Sequence, residues 1–253
     1  MLKKICYKIL KINENISPNI NIYKIHLAGK NGLEIGGPSN IFNKSGQIPI
    51  YSIFNNLDCV NFSDNTLWNK NLEESQTFRY GRRRGYQYIC DITDMAKLKS
   101  ESYDFILCSH VLEHIANPIK AINEMLRILK KDGYLLLLLP DKNYTFDHNR
   151  EYTSFQHLLD DYNNQIGEDD LSHMGEILEK HDLSMDLQAG DMESFKIRSL
   201  KNYHNRALHQ HVFSMELLKN IIDYFGMEII LMETLPPFHT IMFAKKGSVI
   251  ADR

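Results

Sequence analysis

The stretch Gly32-Leu33-Glu34-Ile35-Gly36-Gly37-Pro38-Ser39 decides the fold of this chain. Leu33 and Ile35 supply the apolar positions of a short buried strand, which breaks into a turn at Gly36 and Gly37. Two glycines let the backbone of a turn approach a ligand without an intervening side chain. Glu34 lies inside the apolar strand, where a carboxylate is costly unless it has polar partners. The stretch therefore predicts a strand that ends in a ligand-binding turn.

Strand patterns and helix patterns alternate along the rest of the chain. The run 134–139 is hydrophobic at every position, which is typical of a strand covered on both faces, and apolar residues recur at helical spacing over 119–129. This alternation predicts an α/β fold with a doubly wound, mostly parallel sheet. The predicted strands cover residues 33–36, 58–62, 85–90, 103–109, 134–139, 227–232 and 239–244, and a second helix covers 214–225.

Three motifs together resemble those of the class I S-adenosylmethionine-dependent methyltransferases. Glu34-Ile35-Gly36-Gly37 is similar to that family's first motif, and Ser109-His110-Val111-Leu112-Glu113-His114 is similar to its fourth-strand motif. Leu129-Lys130-Lys131-Asp132-Gly133 is similar to the turn before its fifth strand. The resemblance covers residues 30–140 and, more weakly, 211–245. It implies an enzyme with a Rossmann-like sheet of seven strands and S-adenosyl-L-methionine as the cofactor.

The same reasoning divides the chain into four parts. Residues 1–29 are predicted as an N-terminal helix and lead-in, and residues 30–140 as the Rossmann-like half that binds the cofactor. Residues 141–211 are too many for an ordinary connection between elements, and we expect them to form a helical cap insertion for the substrate. Residues 212–253 complete the sheet with a helix and a strand pair. The cap is acidic and carries seven of the eleven histidines.

The resemblance also implies which residues hold the cofactor. Glu34, Gly36 and Gly37 correspond to the residues that hold its methionine end. Ser109 and His110 leave the carboxyl end of the fourth strand, where ligands of open α/β sheets bind. These five residues are therefore predicted to bind the cofactor.

The ribose and the adenine have their own predicted contacts. Asn61 lies at the end of the second strand, at the position where the family usually has an acid that binds both ribose hydroxyls. Its amide has one acceptor and one donor group, so it can still bond a diol, and Asp58 and Asp64 are the alternatives. Asp91 and the backbone of Ile92 inherit the adenine contacts by their position after the third strand.

The histidine-rich cap is where we expect a general base. Histidine suits that task because its ordinary pKa is close to neutral pH. Asp147 or Asp170 could orient a neighbouring imidazole. The candidate catalytic residues are His148, His173, His209 and His211. No fixed metal-ligand spacing is present, so the primary prediction includes no metal. The alternative is a metal-assisted enzyme in which His209-Gln210-His211 and cap carboxylates hold a divalent ion.

The acceptor of the methyl group is predicted to be small and polar. A net charge of −3 disfavours nucleic acid and anionic membranes as partners. The arginine-rich stretch Arg79–Gly85 is interpreted as a solvated loop, or as a contact for a phosphate or nucleotide on the substrate. The Glu-Ile-Gly-Gly-Pro-Ser motif resembles that of methyltransferases that modify bacterial surface polysaccharides. That resemblance implies O-methylation of a sugar-nucleotide or phosphoramidate-type capsule precursor.

Two rival functions and the cellular setting complete the sequence-based expectations. A nicotinamide-dependent oxidoreductase needs the Gly-x-Gly-x-x-Gly fingerprint, which Pro38 and Asn40 break. A non-catalytic cofactor-binding scaffold is the other rival, favoured by Pro38 and Asn61. The four cysteines form no disulfide or metal pattern, and the basic segment 1–10 is too broken for a signal peptide or membrane span. We therefore expect a cytoplasmic protein, with a homodimer as a further expectation.

Overall fold

The computed structural model describes residues 16–247. The first part of the predicted N-terminal helix, with the basic segment and Cys6, lies outside the described residues. The helices are α1 (Ile20–Leu27), α2 (Pro118–Ile128), α3 (Phe155–Asn163), α4 (Met174–Lys180), α5 (Met192–Ser199), α6 (Asn202–Asn205) and α7 (Met215–Tyr224). The strands are β1 (Asn31–Ile35), β2 (Asn56–Asn61), β3 (Phe78–Tyr80), β4 (Arg83–Gly85), β5 (Gln87–Ile89), β6 (Tyr103–Ser109), β7 (Leu129–Pro140), β8 (Glu228–Leu235) and β9 (His239–Lys245). Short 3-10 helices cover Asn40–Phe42, Tyr51–Ile53, Leu112–His114 and Lys142–Tyr144.

Seven strands form the main sheet in the order β5-β2-β1-β6-β7-β9-β8. Strands β5, β2, β1, β6 and β7 are parallel neighbours, whereas β9 runs antiparallel to both β7 and β8. The strand order reverses between β1 and β6, so a topological switch point lies beside the glycine turn. The predicted seven-stranded, doubly wound and mostly parallel sheet is confirmed.

Alternate leucines of β7 enter two different hydrophobic clusters. Leu135, Leu137 and Leu139 pack in the cluster that contains the buried faces of α2 and α7. Leu136 and Leu138 pack in the cluster that contains α1. Successive side chains of a strand point to opposite faces of a sheet, and all five leucines are fully buried. The continuous apolar run therefore reflects a strand covered on both sides, as predicted.

The arginine-rich stretch is a hairpin and not the predicted loop. Strands β3 and β4 pair antiparallel outside the main sheet, and the predicted strand over 85–90 is thereby divided between β4 and β5. Phe78 and Tyr80 are buried, whereas Arg79 between them is exposed. This alternation buries one face of the hairpin against the domain. Arg83 donates a hydrogen bond to the main-chain carbonyl of Phe54, so this guanidinium is tied to the scaffold.

The segment predicted as a cap is helical in the structure. Residues 141–211 contain α3 to α6, and Ile177, Ala189, Phe195 and Leu208 form a small hydrophobic cluster there. The boundaries of the four predicted parts stay a prediction. Within residues 16–247, no helix combines the length and the apolar character needed to cross a bilayer.

A glycine in β1 offers a test of the central packing. Gly32 pairs with Phe105 of β6, and a Cβ at Gly32 would overlap the Phe105 ring. Gly32→Ala is expected to lower the free energy of unfolding by about 1–3 kcal/mol, the usual cost of overpacking. Gly175 in α4 has open space where a Cβ would stand, so Gly175→Ala should be neutral or slightly stabilising. Urea denaturation measures both variants, and equal stabilities would contradict the packing argument.

Candidate functional site

A cavity of about 650 Å³ opens at the carboxyl ends of the central strands. Gly36 after β1, Asn61 at the end of β2 and Ser109 at the end of β6 line one side, and Arg206 and His239 also contribute to its lining. Open parallel sheets bind ligands at this edge, beside the switch point. Of the eight residues predicted to hold the cofactor, six line the cavity: Gly36, Asn61, Asp91, Ile92, Ser109 and His110.

Packing within the turn requires both glycines. Gly36 has a φ of +74°, and a Cβ there would lie 2.6 Å from Cγ2 of Val111. A Cβ at Gly37 would lie 2.5 Å from Oε2 of Glu34. Any larger residue would therefore displace its neighbours, in addition to the conformational cost at Gly36. Gly36 faces the cavity, whereas Gly37 packs on the buried carboxylate.

Glu34 has the polar partners that its position in an apolar strand demands. Its carboxylate accepts hydrogen bonds from the backbone N–H of Ser39 at 3.0 Å and from the hydroxyl of Tyr51 at 2.8 and 2.9 Å. Burial raises the pKa of Glu34 to about 7, although these hydrogen bonds act in the opposite direction. The side chain does not line the cavity. Glu34 therefore lies behind the turn and holds it in shape, and its predicted contact with the cofactor stays a prediction.

Asn61 reaches the cavity, and the two alternatives to it do not. Its Nδ2 donates to Oε1 of Gln87 at 3.4 Å, and the side chain is buried in the cavity wall. Asp58 instead accepts a hydrogen bond from the hydroxyl of Tyr103 at 2.9 Å. Neither Asp58 nor Asp64 lines the cavity. Of the three candidates for the ribose contact, Asn61 is therefore the one that lines the cavity.

Arg206 is a cavity residue that the sequence did not indicate. Its Nη2 donates to Oδ2 of Asp91 at 2.8 Å, and its Nη1 lies 2.5 Å from Oε2 of Glu168. Its guanidinium carbon also lies 5.2 Å from the centre of the Phe62 ring. The other oxygen of Asp91 accepts hydrogen bonds from the N–H and hydroxyl of Thr93, both at 2.8 Å. One guanidinium thus ties the helical segment to the edge of the sheet at the predicted adenine contact.

Two of the histidines predicted as the base lie away from the cavity. His148 pairs with Asp182, its Nε2 lying 3.0 Å from Oδ2 of that carboxylate. The Nε2 atoms of His173 and His157 are 3.2 Å apart. Neither His148 nor His173 lines the cavity. The structure therefore places both in the helical segment, separated from the reacting end of the sheet.

His211 is buried and His209 is partly buried, and the two do not share a site. His209 bonds through Nδ1 to Asp147, and its ring centre lies 4.6 Å from that of His114. His211 lies 3.3 Å through Nε2 from the carbonyl oxygen of Ala116. The segment between them has no regular secondary structure, so proximity in sequence does not place the two rings together. The predicted metal pairing of His209 with His211 is not formed.

Three other histidines line the cavity: His110, His114 and His239. Nε2 of His110 lies 2.8 Å from Nδ1 of His239. Burial lowers the pKa of His110 to about 3 and that of His239 to about 4, and it lowers the pKa of His114 as well. All three imidazoles are therefore neutral at neutral pH. In the contact of His110 with His239 one ring nitrogen donates to the other, so the pair keeps one free nitrogen that can accept a proton.

His239 gave no functional signal in the sequence because its position depends on strand pairing. It is the first residue of β9, opposite Pro140 at the end of β7. Because β9 runs antiparallel to β7, its first residue reaches the edge where the parallel strands end. His110, predicted as a cofactor contact, adopts a φ of +53° directly after β6. The two rings meet near the carboxyl ends of β6 and β7.

Residues 13–231 match a family described as a methyltransferase domain. The chain belongs to the methyltransferase domain family. The predicted enzyme class and the cofactor, S-adenosyl-L-methionine, are thereby confirmed for this methyltransferase. The family description does not specify an acceptor.

One solved structure shares this fold, and two further proteins are similar to part of the chain. A SAM-dependent methyltransferase from Methanosarcina mazei is 15% identical, with 92% of this chain and 99% of that chain covered and a TM-score of 0.51. The trans-methyltransferase CalH, solved with SAH, is 12% identical, with 91% and 55% covered and a TM-score of 0.49. An uncharacterized protein from Methanocaldococcus jannaschii is 44% identical over 45 residues. The matches span about half of the CalH chain and a fifth of the M. jannaschii protein.

The buried carboxylate of Glu34 should make stability depend on pH. Its pKa of about 7 in the folded protein exceeds the ordinary value of 4.5, so the folded state binds this proton more tightly. The associated stabilisation is complete below pH 4.5 and is lost as the pH rises through 7. Relative to Glu34→Gln, the wild type should lose up to about 3 kcal/mol of unfolding free energy over this window. Urea denaturation at pH 5 and pH 8 measures the difference, and parallel pH profiles would contradict it.

Proposed function

We propose that this methyltransferase transfers a methyl group from S-adenosylmethionine to a hydroxyl oxygen of a small polar acceptor. The observation that carries the proposal is the meeting, in one cavity, of the motif residues and a pair of neutral histidines. S-adenosylmethionine supplies the electrophilic methyl group. The protein then has to align the hydroxyl with that group and receive its proton.

The cofactor is proposed to lie along the edge of the sheet. The backbone at Gly36 approaches the methionine end, Asn61 bonds the ribose, and Asp91 with the N–H of Ile92 contacts the adenine. Thr93 fills both positions on Oδ1 of Asp91, and Arg206 fills one position on Oδ2. The second lone pair of Oδ2 is therefore the acceptor that we assign to the adenine amine. The lining of the cavity supports this arrangement.

The ribose contact can be tested with S-adenosylhomocysteine as the ligand. Asn61→Leu should weaken binding by about 1–3 kcal/mol, because a polar group of the ligand would lose its partner. Asn61→Asp should retain or improve affinity through a charge-assisted hydrogen bond. Asp58→Asn is the matched control, because Asp58 bonds Tyr103 outside the cavity. Calorimetry measures all three variants, and an unchanged affinity in Asn61→Leu would refute the assignment.

The remaining lining suits a hydroxylated acceptor. In a partly apolar cavity, the orientation of a ligand is fixed by a few polar groups at defined positions. Trp68 adds an aromatic face, its ring centre 5.2 Å from that of His114. The uncharged polar residues of the lining include Ser39, Asn40, Ser45, Gln47, Thr66 and Asn69.

For the acceptor we propose a sugar-nucleotide or a phosphoramidate-type precursor of a bacterial surface polysaccharide. The motif Glu34–Ser39 and the stretch Thr145–His148 support this class by resemblance to enzymes of that kind. The arginines of the hairpin do not line the cavity, and Arg206 is committed to two carboxylates. The proposal therefore places the methylated hydroxyl in the cavity and any phosphate outside it.

The histidine pair is proposed to receive the acceptor's proton. A hydroxyl that has gained a methyl group is a strong acid, so a weak but well-placed base is sufficient. His110 and His239 satisfy this requirement, because burial holds both rings neutral and a 2.8 Å contact joins them. This assignment replaces the four histidines indicated by the sequence, which lie outside the cavity lining.

Variants of His239 test the assignment. His239→Ala and His239→Gln should each lower turnover by about 10²-fold or more, the usual contribution of acid–base catalysis, with the affinity for S-adenosylhomocysteine nearly unchanged. His148→Ala is the matched control, because His148 pairs with Asp182 away from the cavity. Initial rates of S-adenosylhomocysteine release measure the effect. Normal turnover in both His239 variants would show that the proton leaves by another route.

The whole activity is tested with a panel of nucleotide-activated sugars and phosphoramidates. A mass increase of one methylene group, with loss of one hydroxyl proton, is the expected product. Cofactor binding without turnover on any panel member would favour the non-catalytic scaffold.

The proposal includes a cytoplasmic location, supported by the free thiols of Cys59, Cys90 and Cys108. The homodimer stays a prediction.

A further inference from the structure

Three side chains of the types that bind metal ions lie close together at the wall of the cavity, and one of them, His114, lines it. Glu113 and His114 belong to the 3-10 helix that follows β6, and His209 comes from the far end of the helical segment. One ligand atom from each of the three residues lies within 4.8 Å of the other two. Ligand atoms around an ion of zinc size are about 3.4 Å apart, so small side-chain movements close the group around an ion.

Glu113 is buried without a hydrogen-bond donor. Its side chain is 1% exposed, and neither of its oxygens has a hydrogen-bond partner. The nearest imidazole nitrogen, Nδ1 of His110, is 3.7 Å from Oε1, which is beyond hydrogen-bond distance. Leaving a buried carboxylate without compensation costs several kcal/mol. A cation at this position would remove that cost.

The two imidazoles are anchored in the manner of metal ligands. Nδ1 of His114 lies 3.0 Å from the carbonyl oxygen of Leu208, and Nδ1 of His209 bonds to the carboxylate of Asp147. Metal-bound histidines usually donate their other ring N–H to a carboxylate or a backbone carbonyl, which fixes the tautomer. Both rings therefore have Nε2 available as the ligand atom. Arg150 holds Asp147 in turn, at 3.1 Å.

We propose that Glu113, His114 and His209 bind a divalent cation, of the Zn²⁺ or Mn²⁺ kind, that polarises the acceptor hydroxyl. One carboxylate and two imidazoles suit such ions. Three protein ligands leave a coordination position for an oxygen of the acceptor, and His114 lines the cavity where that oxygen would lie. Coordination makes the hydroxyl more acidic, and its proton passes to the pair of His110 and His239. This inference rests on the proposed function and specifies how the acceptor is activated.

The first experiment measures the metal alone. Purified protein is stripped with chelator, dialysed and titrated with ZnCl₂ and with MnCl₂ by calorimetry, and its metal content is determined by mass spectrometry. Wild type should bind one more equivalent of one of these ions than Glu113→Gln or His209→Ala. Asp147→Asn should weaken that binding by about 10–100-fold, because it disturbs the partner of His209 and leaves the ligands in place.

A second histidine group supplies the matched control. His157, His173 and His211 also place one ligand atom each within 4.8 Å of the others, but they lie away from the cavity lining. His173→Ala should retain the ion that Glu113→Gln loses. If His173→Ala loses the ion and Glu113→Gln keeps it, or if Glu113→Gln binds as much metal as wild type, the proposal is overturned.

Folding and activity are separated by two further measurements. Without metal, the unfolding temperature of Glu113→Gln should equal or exceed that of the wild type, because the substitution removes an unpaired buried carboxylate. When metal is added, the unfolding temperature of the wild type should rise and that of Glu113→Gln should not change. Chelator should abolish turnover on the hydroxyl acceptor without changing the affinity for S-adenosylhomocysteine. Full turnover in chelator would overturn the metal inference and leave the O-methyltransferase proposal intact. Metal binding with no turnover on any hydroxyl would instead refute the proposed function, while the site itself stood.

Discussion

A buried carboxylate holds the turn on which the whole site depends. Glu34 is fully buried in β1, and it accepts hydrogen bonds from Ser39 N–H and the Tyr51 hydroxyl. Gly37 lies against the same carboxylate with no room for a Cβ. The turn therefore keeps one shape before any ligand arrives. A ligand that binds to a pre-shaped turn does not have to order the backbone, so more of the interaction free energy appears as affinity. This gain can offset the cost of burying the acid.

The edge of the sheet and the helical segment meet through charges. Arg206 contacts Asp91 and Glu168, and Arg150 holds Asp147, which in turn bonds His209. Buried guanidinium–carboxylate contacts of this kind are costly to break on one side only. The contact of Arg206 with Asp91 joins the helical segment to the edge of the sheet. The contacts among Arg150, Asp147 and His209 lie within the segment and fix the position of the His209 ring.

Burial sorts the histidines into groups with different chemistry. His110 and His239 are joined to each other and are held neutral in the cavity wall. His209 lies next to Asp147, and this carboxylate outweighs burial and raises its pKa. His148 remains at the surface of the helical segment with Asp182. Residue type alone assigns all of these rings the same capability, whereas the surroundings decide which of them can accept a proton or bind an ion.

Local signals in the sequence determined the sheet and the position of the cofactor residues. The continuous apolar run of β7, the glycine turn after β1 and the run after β6 depend on neighbours within a few residues, so they could be predicted. Six of the eight predicted cofactor residues line the cavity for the same reason: the carboxyl ends of parallel strands share one edge. The two exceptions, Glu34 and Gly37, lie behind the turn, because a motif position does not tell whether a residue faces the cavity or the loop behind it.

Tertiary structure decided which polar groups meet. His239 lies beside His110 because β9 pairs antiparallel with β7. Arg206 donates a hydrogen bond to Asp91, 115 residues away in the sequence. His209 places a possible ligand atom within 4.8 Å of one from Glu113. These contacts join segments whose separation in sequence carries no periodic pattern, because loop geometry and packing set them. The sequence by itself therefore determined the sheet, the cofactor edge and the family, and the folded chain selected the histidines and the arginine that complete the site.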